Sequence, residues 1–592
     1  TIFLHDHLFA NYRQKHGLFG ALLVEPIGAK AFHPFEPTRE IVSGLQARVQ
    51  LPSDVEGRRS FREFCIAIAD SIPMWDRDGR PLNPPAHPGG HGDQGGMALN
   101  YRNTPIRERP GDPADGFSSR RHGDPDTTLF HTYENEPFWI RLVQGSHEEQ
   151  HSFQLHGMRW RRFRANLDSS LRDQQTMGIS EAFTFINNEP FGPGDYLYKL
   201  SAADDLWLGC WGLIRALPRS SQRAASQDLQ PCGKDGARED ASALEAADSD
   251  VPSGLPVRRF RVIAEPRRLV YREPDLVDPF GLVYRLVSVQ GPGEQAPRPV
   301  ESNPDEPLVL RCREGEQVEV TVVNQLPPGM RPEPFAPEVP VEQDDRGVSQ
   351  QVSLHADLVL YDVTHSDGAN VGFNPPQTVP PGEERTYVWR ATRPPGPTVN
   401  AGEPLGPVLL QDMADFRHHR HHGLIGALII EAPHATPYAV GGSAATAALD
   451  APEAWHGARA TIVQAAERSE EVVLLMQDGL RLYLHGNVNF PLPDEPAVAP
   501  NEAETEDQGQ KGFNYRSEPI GPLFSPTGGA SSLANPAPAT PVWYVPVGRQ
   551  VRFHLVGALD KPRNHSFTIH GVSWPEWRFL SPTGAPRVSS ES

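Results

Sequence analysis

The sequence repeats itself at a nearly constant spacing, and this constrains the fold more than any other feature. Three segments recur in the same order: HGLFGALLVEP (16–26) as HGLIGALIIEA (422–432), NYRNTPI (100–106) as NYRSEPI (514–520), and HSFQLHG (151–157) as HSFTIHG (565–571). The offset is 406 residues for the first pair and 414 for the other two. Ordered matches at one offset predict a duplicated two-domain unit, with small insertions in the loops.

The repeats also order the chain into domains, because 592 residues are too many for one hydrophobic core. The polar, Ala/Ser/Asp-rich stretch at 219–257 is typical of a linker. The predicted map has 1–35 as the C-terminal part of a first domain, 57–218 as a second, 258–435 as a third and 458–592 as a truncated fourth. Thr1 already lies in a predicted strand, and less chain follows HSFTIHG than HSFQLHG. We therefore expect an internal fragment, clipped at both ends.

The composition and the apolar pattern both predict an all-β fold. The chain has 61 Pro and 52 Gly, which favour turns over long helices. At 307–326, apolar residues alternate with polar ones on both sides of a turn at Glu314-Gly315. The alternating residues are Leu308, Leu310, Cys312, Val318, Val320 and Val322. This pattern predicts a hairpin of two half-buried strands.

Charge and motif content exclude several functional classes. A net charge of −20 disfavours nucleic-acid binding and attracts cations weakly. No stretch has the length of a transmembrane helix. The four cysteines show no Cys-x-x-Cys spacing, so neither a disulfide framework nor a zinc ribbon is expected. The chain has no phosphate-binding loop, Ser-His-Asp order or His-Glu-x-x-His motif.

His5 and His7 are the first candidate metal ligands. In a strand, residues two apart point to the same face, so both imidazoles are predicted to lie together. Imidazole suits copper, zinc and iron. By itself, His-x-His is equally compatible with a structural or solvated pair.

The surroundings of this pair resemble the second copper motif of multicopper oxidases. TIFLHDHLF is followed by a loop and by HGLFGALLVEP, as in that motif. The resemblance implies that His5 and His7 bind a trinuclear copper cluster. VSLHADLVLYD at 352–362 resembles the first motif of the family, and the repeat offset places its counterpart upstream of Thr1.

Two further segments, EEQHSFQLHG and RNHSFTIHG, resemble the family motif His-Pro-x-His-x-His-Gly. The resemblance implies that His151 and His565 match the type 1 copper ligand. It also implies that His156 and His570 match the last ligand of the trinuclear cluster. The middle histidine is replaced by Gln154 in one copy and by Thr568 in the other.

Several copper positions are predicted to be lost. Aligning GDYLYKLSAADDLWLGCWG with the type 1 motif puts Leu200 at the cysteine position, Asp205 at the histidine position and Cys210 at the axial position. Cys210 is then a buried structural cysteine; the alternative is a rearranged copper ligand. In the third domain, Gln411 and Met413 replace the histidines. The resemblance thus predicts one cluster, in the first domain, and a third domain kept as scaffold.

The histidine-rich segment FRHHRHHGLIG at 416–426 has two interpretations. His418, His419 and His421 form either a surface site for a metal-ion substrate or a solvated loop. His422 corresponds to His16 in the repeat and is expected to pack beneath this loop.

The sequence therefore predicts tandem cupredoxin-like Greek-key β-sandwiches, in the manner of large bacterial copper oxidases and six-domain ferroxidases or manganese oxidases. The activity implied by the resemblance is one-electron oxidation of a metal ion or a phenol-like substrate, coupled to reduction of dioxygen to water. Copper is the implied cofactor, and a secreted or extracytoplasmic location is implied. The alternative is a catalytically inactive cupredoxin scaffold or a copper-binding assembly protein. For this stretch alone we expect no oxidase turnover; no nucleic acid or membrane partner is expected, and the oligomeric state stays open.

Overall fold

The computed structural model is built almost wholly of β-strands. The described residues are 1–52, 59–72, 74–75, 78–79, 96–145, 149–162, 169–187, 189–219, 229, 231–232, 254–273, 276–329, 348–394, 404–440, 452–465, 467–480, 482–487, 510–518, 538–559 and 565–574. Most of the predicted linker at 219–257 lies outside them.

Residues 2–22 form an antiparallel hairpin. Its elements are β1 (Ile2–His5), α1 (Ala10–Arg13) and β2 (Phe19–Leu22). In this hairpin His5 pairs with Phe19. The regular strand therefore ends at the first of the two candidate histidines.

Residues 30–217 fold into two large sheets. The elements are β3 (Lys30–Phe32), β4 (Gln46–Gln50), β5 (Phe61–Ile72), β6 (Gly96–Leu99), 3-10 turns at Ile106–Glu108 and Pro113–Asp115, α2 (Ser119–His122), β7 (Phe130–Tyr133), β8 (Phe138–Gln144), β9 (His151–Leu155), β10 (Trp160–Arg161), β11 (Leu171–Arg172), β12 (Gln174–Met177), β13 (Ala182–Asn187), β14 (Gly194–Leu200), α3 (Ala203–Trp207) and β15 (Trp211–Leu217). One sheet has the order β13-β8-β5-β4-β3 with β6 also on β5, and the other β12-β9-β14-β15-β7. Each contains one parallel pair, β5 with β8 and β7 with β15.

The two sheets share a continuous apolar core. Phe64 and Ile140 of the first sheet belong to the same buried cluster as Phe153, Leu155 and Ile214 of the second, and none is more than 1% exposed. Full burial of such side chains contributes about 1.5–3 kcal/mol each. This core fixes the position of β9, the strand that carries His151 and leads into His156.

Residues 257–431 form a second two-sheet unit. Its elements are β16 (Val257–Pro266), β17 (Leu269–Arg272), β18 (Leu276–Asp278), β19 (Leu282–Gln290), β20 (Arg298–Pro299), β21 (Leu308–Arg313), β22 (Glu316–Asn324), β23 (His355–Ala356), β24 (Glu384–Ala391), β25 (Gly406–Gln411), α4 (His418–His421) and β26 (Ile425–Glu431). The sheets have the orders β20-β19-β16-β22-β24 and β21-β26-β25-β23. Again each sheet has one parallel pair, β16 with β22 and β21 with β26.

The predicted hairpin at 307–326 is wrong in its pairing. β21 and β22 lie on either side of the expected turn, but β21 pairs with β26 and β22 pairs with β16 and β24. The alternating residues are buried as predicted. Alternation reports which face of a strand is buried, and strands of two different sheets show the same pattern when both face one core.

The remaining residues add a further sheet. The remaining strands are β27 (Thr436–Tyr438), β28 (Arg459–Gln464), β29 (Glu467–Leu480), β30 (Tyr483–Leu484), β31 (Gln510–Phe513) and β32 (Gln550–Ala558). All of them except β30 belong to this further sheet. β27-β28-β29-β31 form the sheet with β32 on β29, and β30 joins β17 and β18.

The two Asn-Tyr-Arg segments adopt the same local structure. Asn100 and Tyr101 have φ angles of 54° and 61°, and Asn514 and Tyr515 have 49° and 59°. The hydroxyl of Tyr101 donates to the carbonyl of Gly17 (2.6 Å), and that of Tyr515 donates to the carbonyl of Gly423 (2.5 Å). Similar sequence thus gives a similar turn and a similar contact to the preceding His-Gly segment.

The fold class is all-β, with tandem cupredoxin-like Greek-key β-sandwich domains, as predicted. The domain boundaries stay a prediction. All four cysteines are free and buried. Among the described residues, no helix combines the length and hydropathy needed to cross a membrane.

Candidate functional site

His5 and His7 lie close together at the end of β1. Their ring centroids are 5.4 Å apart, and the ring of His5 stacks on Phe3 with a centroid distance of 4.9 Å. His5 is half-buried and His7 is exposed. Within the described residues, no carboxylate oxygen lies within 4.0 Å of a ring nitrogen of either histidine, so both imidazoles remain available to a metal.

Asp6, between these histidines, organises the turn that follows. Its carboxylate accepts hydrogen bonds from the backbone N–H groups of Leu8 (3.1 Å) and Phe9 (2.9 Å) and from the guanidinium of Arg13 (3.1 Å). The bond from Phe9 is the main cause that lowers the pKa of Asp6. Asp6 thus caps the turn locally, and its carboxylate is engaged there.

His151 lies in a closed cluster of buried ionisable groups. Its Nδ1 is 2.9 Å from Asp205, and its Nε2 is 3.3 Å from Asp70. Burial alone would lower the pKa of His151, but the two carboxylates outweigh it and raise the pKa to about 10. His151 is therefore an imidazolium at neutral pH. The alignment placed Asp205 at the position of a histidine ligand, and the structure brings it against His151.

The donor set around His151 does not fit type 1 copper. Leu200 occupies the position expected for the cysteine, and its backbone N–H donates to the carbonyl of Cys210 (3.0 Å). Burial raises the pKa of the Cys210 thiol well above its usual value, which favours the neutral thiol. Glu149, His151 and Asp205 could offer ligand atoms within 4.8 Å of one another. Both nitrogens of His151, however, are already engaged.

A second cluster lies between the two sandwiches. His156 follows β9 of the first, and His355 is in β23 of the second. Their rings stack at a centroid distance of 4.0 Å with an interplanar angle of 21°. One carboxylate oxygen of Asp367 is 2.9 Å from Nδ1 of His156 and 3.2 Å from Nδ1 of His355. Ligand atoms of these three residues lie within 4.8 Å of one another.

On the other side of the second cluster, some polar atoms have hydrogen-bond partners and others have none among the described residues. Nε2 of His355 is 3.1 Å from Oδ1 of Asp357, which also accepts from the Gln154 amide (2.8 Å). In contrast, Nε2 of His156 and Nζ of Lys199 are buried and have no hydrogen-bond partner in the described part of the chain. Buried polar atoms without a partner are rare in folded proteins and require an explanation.

Burial and charge shift the pKa values of His156 and His355 in opposite directions. Burial and the neighbouring His355 outweigh Asp367 and lower the pKa of His156 to about 4. Burial also acts on His355, but Asp357 and Asp367 outweigh it and raise the pKa of His355 to about 10. Burial and the charge of Arg420 lower the pKa of Lys199 to about 8. Burial and Asp357 raise the pKa of Asp173 to about 7.

The cluster is held by hydrogen bonds that join both sandwiches. Tyr361 donates its hydroxyl to Asp367 (2.9 Å) and accepts the backbone N–H of Gly157 (2.7 Å). The amide oxygen of Gln377 accepts the backbone N–H of Asp367 (2.7 Å). The position of Asp367 is therefore fixed from both domains.

The junction is reinforced away from the cluster. Asp195 of β14 accepts the backbone N–H of Phe373 (2.7 Å), and the side chain of Asn374 accepts the backbone N–H of Asp195 (2.9 Å). Arg215 pairs with Asp195 at 2.8 Å. Asp195, Arg215 and Asn374 are buried, so water screens these hydrogen bonds between the two sandwiches only weakly.

The histidine-rich segment is neither a surface site nor a solvated loop. His418, His419 and His422 are buried. Each has an aspartate within hydrogen-bonding distance: Asp415 (3.0 Å), Asp412 (2.9 Å) and Asp278 (2.8 Å), respectively. His422 packs inside, as expected. The segment is a structural network of buried histidine–aspartate pairs.

The remaining predicted positions show no assembled copper site. His565 and His570 are exposed, and Nε2 of His565 is 3.5 Å from Asp478. Gln411 lies opposite His355 in the sheet and accepts a hydrogen bond from Arg420 (2.6 Å). Met413 is buried in an apolar cluster. Metal binding at His5, His7, His151, His565 and His570 stays a prediction.

Sequence reasoning missed Asp357, Asp367, Asp173 and Lys199. Two signals were present. VSLHADLVLYD was recognised as motif-like, and its His355-x-Asp357 spacing offers two ligands on one face. Lys199 is a charged residue at a fully buried position of GDYLYKL, directly before the residue aligned with the copper cysteine.

No family model and no curated protein matches the chain. Among solved structures it is similar to a multicopper oxidase (12% identity, TM-score 0.20, covering 64% of this chain and 92% of the other). It is similar to a laccase from Pediococcus acidilactici (10% identity, TM-score 0.29, 69% and 94%). It is also similar to a copper nitrite reductase from Nitrosomonas europaea (14% identity, TM-score 0.19, 62% and 94%). The structures found thus include the family that the sequence motifs resemble.

Proposed function

We propose that this chain functions as part of a multicopper oxidase, which couples one-electron oxidation of a substrate to reduction of dioxygen to water. His5 and His7 would bind copper of the trinuclear cluster. The observation that carries the proposal is the arrangement of this pair: two adjacent imidazoles at the end of a paired strand, one half-buried and one exposed. Copper bound there would supply the electron transfer to dioxygen.

The chain's own residues prepare these imidazoles for a metal. Phe3 stacks on His5 and limits its rotation. Nδ1 of His5 is 3.0 Å from the backbone carbonyl of Asp6, which favours a proton on Nδ1 and a bare Nε2. Asp6 holds the following turn through Arg13, so the backbone at His7 is fixed. The reducing substrate would be a metal ion or a phenol, in an extracytoplasmic compartment.

The second candidate function is a cupredoxin scaffold without oxidase activity. The cluster around His151 favours it, because an imidazolium between two carboxylates occupies the place of a type 1 copper. Gln411 and Met413 support the same view of the third domain. Under this hypothesis the sandwiches bind a partner or order an assembly.

Copper content distinguishes the two functions at the N-terminal pair. The chain is loaded with Cu²⁺, passed through gel filtration and analysed for metal. We expect the double variant His5→Ala/His7→Ala to lose copper relative to the parent chain. The matched control is His434→Ala, since His434 is also exposed. Equal copper in the parent and the double variant contradicts the proposal. Dioxygen consumption by the full gene product, with ferrous ion or a phenol as reductant, then separates an oxidase from a scaffold.

A further inference from the structure

We propose that each copy of the repeat contains a pH-sensitive junction, in which two adjacent glutamates share one proton and the junction weakens when that proton is lost. The pairs are Glu25 with Glu63 and Glu431 with Glu471. Glu25 and Glu431 occupy the same position in HGLFGALLVEP and HGLIGALIIEA, and their partners lie in the long strands β5 and β29 that follow. This device requires no metal and goes beyond the proposed oxidase function.

Glu63 and Glu471 are matched by the structure, because they lie outside the repeated segments. The asparagine side chain of the first Asn-Tyr-Arg segment accepts the backbone N–H of Ala67 (2.8 Å). The asparagine of the second segment accepts the backbone N–H of Leu475 (2.7 Å). Glu63 and Glu471 each lie four residues before that N–H. The two pairs are therefore one feature of the duplicated unit, present twice.

In the first pair, one guanidinium faces two carboxyl groups. Nε of Arg141 is 2.6 Å from Glu63, and Nη2 of Arg141 is 2.7 Å from Glu25. The side chains of Arg141, Glu63 and Glu25 are 3%, 7% and 20% exposed. The other oxygen of Glu25, Oε2, is buried and has no hydrogen-bond partner among the described residues. Carboxylates only accept hydrogen bonds, so a proton on the adjoining Glu63 carboxyl supplies the donor that this pair lacks.

In the second pair, one guanidinium again contacts both carboxyl groups. Nη1 of Arg311 lies 2.6 Å from Glu431 and 2.7 Å from Glu471, and none of these three side chains is more than 1% exposed. From β32, Arg552 lies 2.7 Å from the other oxygen of Glu471, and His554 lies 3.1 Å from Glu471. β21 and β26 belong to one sheet, and β29 and β32 belong to another. The charge on these carboxyl groups therefore acts on the contact between two sheets.

Burial makes a shared proton favourable. Two carboxylates side by side away from water repel each other, so one of them keeps its proton to a higher pH. Burial and the contact with Glu25 raise the pKa of Glu63 to about 7. Burial and the charge of Glu471 raise the pKa of Glu431 to about 8. The guanidinium in each pair acts in the opposite direction without cancelling these effects.

The other ionisable groups around the pairs keep their charge above pH 6.5. Near the first pair, burial raises the pKa of the Cys65 thiol to about 11, although the α-amino group of Thr1 opposes this shift. Near the second pair, burial lowers the pKa values of His554 and His456, so both imidazoles are neutral. Arg552 is a cation. Each pair thus has one proton to lose near neutral pH, while the neighbouring thiol, imidazoles and guanidinium groups do not change charge.

The stability that the pairs contribute decreases as the pH rises. Both pKa values lie above the ordinary glutamate value of 4.5, so the folded chain retains protons that the unfolded chain has released. The contribution is complete below pH 4.5 and is lost as the pH rises to about 7 for Glu63 and about 8 for Glu431. Opening of a junction therefore becomes about 10-fold more favourable for each pH unit in this range and is constant above it.

Hydrogen exchange, measured by mass spectrometry, tests whether the junctions respond. Peptides from β5 and β29 are compared at pH 6 and pH 9, after correction for the intrinsic exchange rate. From the two pKa values, the pairs should lower protection about 10-fold in β5 and about 100-fold in β29. Glu63→Gln keeps the shape of the protonated side chain and should remove this loss in β5 alone. Glu431→Gln should remove it in β29 alone. The matched control is Glu40→Gln, which should change neither strand, because Glu40 is exposed and pairs with Lys30.

Infrared spectroscopy of the unsubstituted chain, with ¹³C in its glutamate carboxyl groups, detects the shared protons directly. The label distinguishes glutamate from Asp173, whose pKa burial also raises. We expect a ¹³C-shifted band of protonated carboxyl groups at pH 6 that is absent at pH 9. Should the Gln variants fail to fold, this measurement decides. The proposal is overturned if no such band is present at pH 6, or if folded Glu63→Gln and Glu431→Gln lose protection with pH to the same extent as the parent chain.

Discussion

His151 begins β9 and His156 directly follows it, yet the surroundings of the two histidines differ. His151 has a carboxylate on each ring nitrogen, and the pair Asp70 and Asp205 neutralises its charge. His156 has a carboxylate on Nδ1 only, and its Nε2 has no hydrogen-bond partner among the residues that the structure describes. Around His151, Asp205 stands at the position of a lost ligand, and both ring nitrogens have a carboxylate partner. Around His156, Gln154 stands at the position of a lost ligand, and Nε2 of His156 has no partner among the described residues.

The largest effect expected from this comparison is on stability at the closed cluster. Asp205→Ala removes one of the two partners of a buried imidazolium, and breaking a buried pair in this way costs about 3–5 kcal/mol. The free energy of unfolding, measured in urea, should fall by that amount. Lys30→Ala is the control, because the Lys30–Glu40 pair is exposed and should contribute little. A change as small as that of the control would show that His151 is not held as an ion.

The next effect concerns pH. The pKa of His151 is about 10 in the folded chain against an ordinary value of 6.5. The folded state therefore binds a proton that the unfolded state has released, and stability falls as pH rises between these values. The contribution of His151 to this loss is about 1.4 kcal/mol for each pH unit, and His355, whose pKa is also raised to about 10, contributes in the same direction. Urea unfolding at pH 7 and pH 9 measures it. His151→Asn should reduce the slope by about 1.4 kcal/mol for each pH unit and leave the part due to His355; an unchanged slope would assign the dependence to other groups.

A smaller effect is expected from adding a histidine to the second cluster, which contains His156 and His355. Gln154→His places a third imidazole beside Asp357. We expect this variant to bind Zn²⁺ about 10-fold more tightly than the parent chain, which corresponds to about 1.4 kcal/mol. The control, Gln175→His, adds a histidine on the neighbouring strand β12. If both variants raise the affinity equally, the gain comes from an additional surface histidine and not from the cluster.

The smallest effect is an absence of reactivity. Cys65 and Cys210 are buried, and burial raises the pKa of the Cys65 thiol to about 11. We expect no labelling of the native chain by an aromatic disulfide reagent, and full labelling in denaturant. Cu²⁺ should likewise produce no intense blue thiolate band. Labelling of Cys210 in the native chain, or such a band, would reopen its role as a rearranged copper ligand.

Local features of the fold could be predicted from the sequence, and pairings could not. The alternation at 307–326 identified the buried faces of β21 and β22. It could not tell that the two strands belong to different sheets, since the same alternation arises wherever a strand faces a core. The motif alignment correctly put Asp205 in the neighbourhood of His151, because that alignment carries three-dimensional information from a known fold.

The second cluster, around His156 and His355, could not be predicted from the sequence for a different reason. Asp367 and His156 are 211 residues apart and meet only where two domains dock. Neither a periodicity nor a spacing rule relates them. Lys199 is a buried charged residue of β14, and its surroundings include residues contributed by the other sandwich.

The contact of Tyr101 with Gly17, and of Tyr515 with Gly423, has a consequence for how such a chain tolerates mutation. Each hydroxyl binds a main-chain carbonyl, which every residue type provides. The glycines have φ angles of 93° and 107°, a backbone conformation that other residues adopt only with strain. The contact therefore depends on the glycine and the tyrosine, and not on the side chains of β1 or β25. His5 and His7 in one copy, and Gln411 and Met413 in the other, precede the same contact.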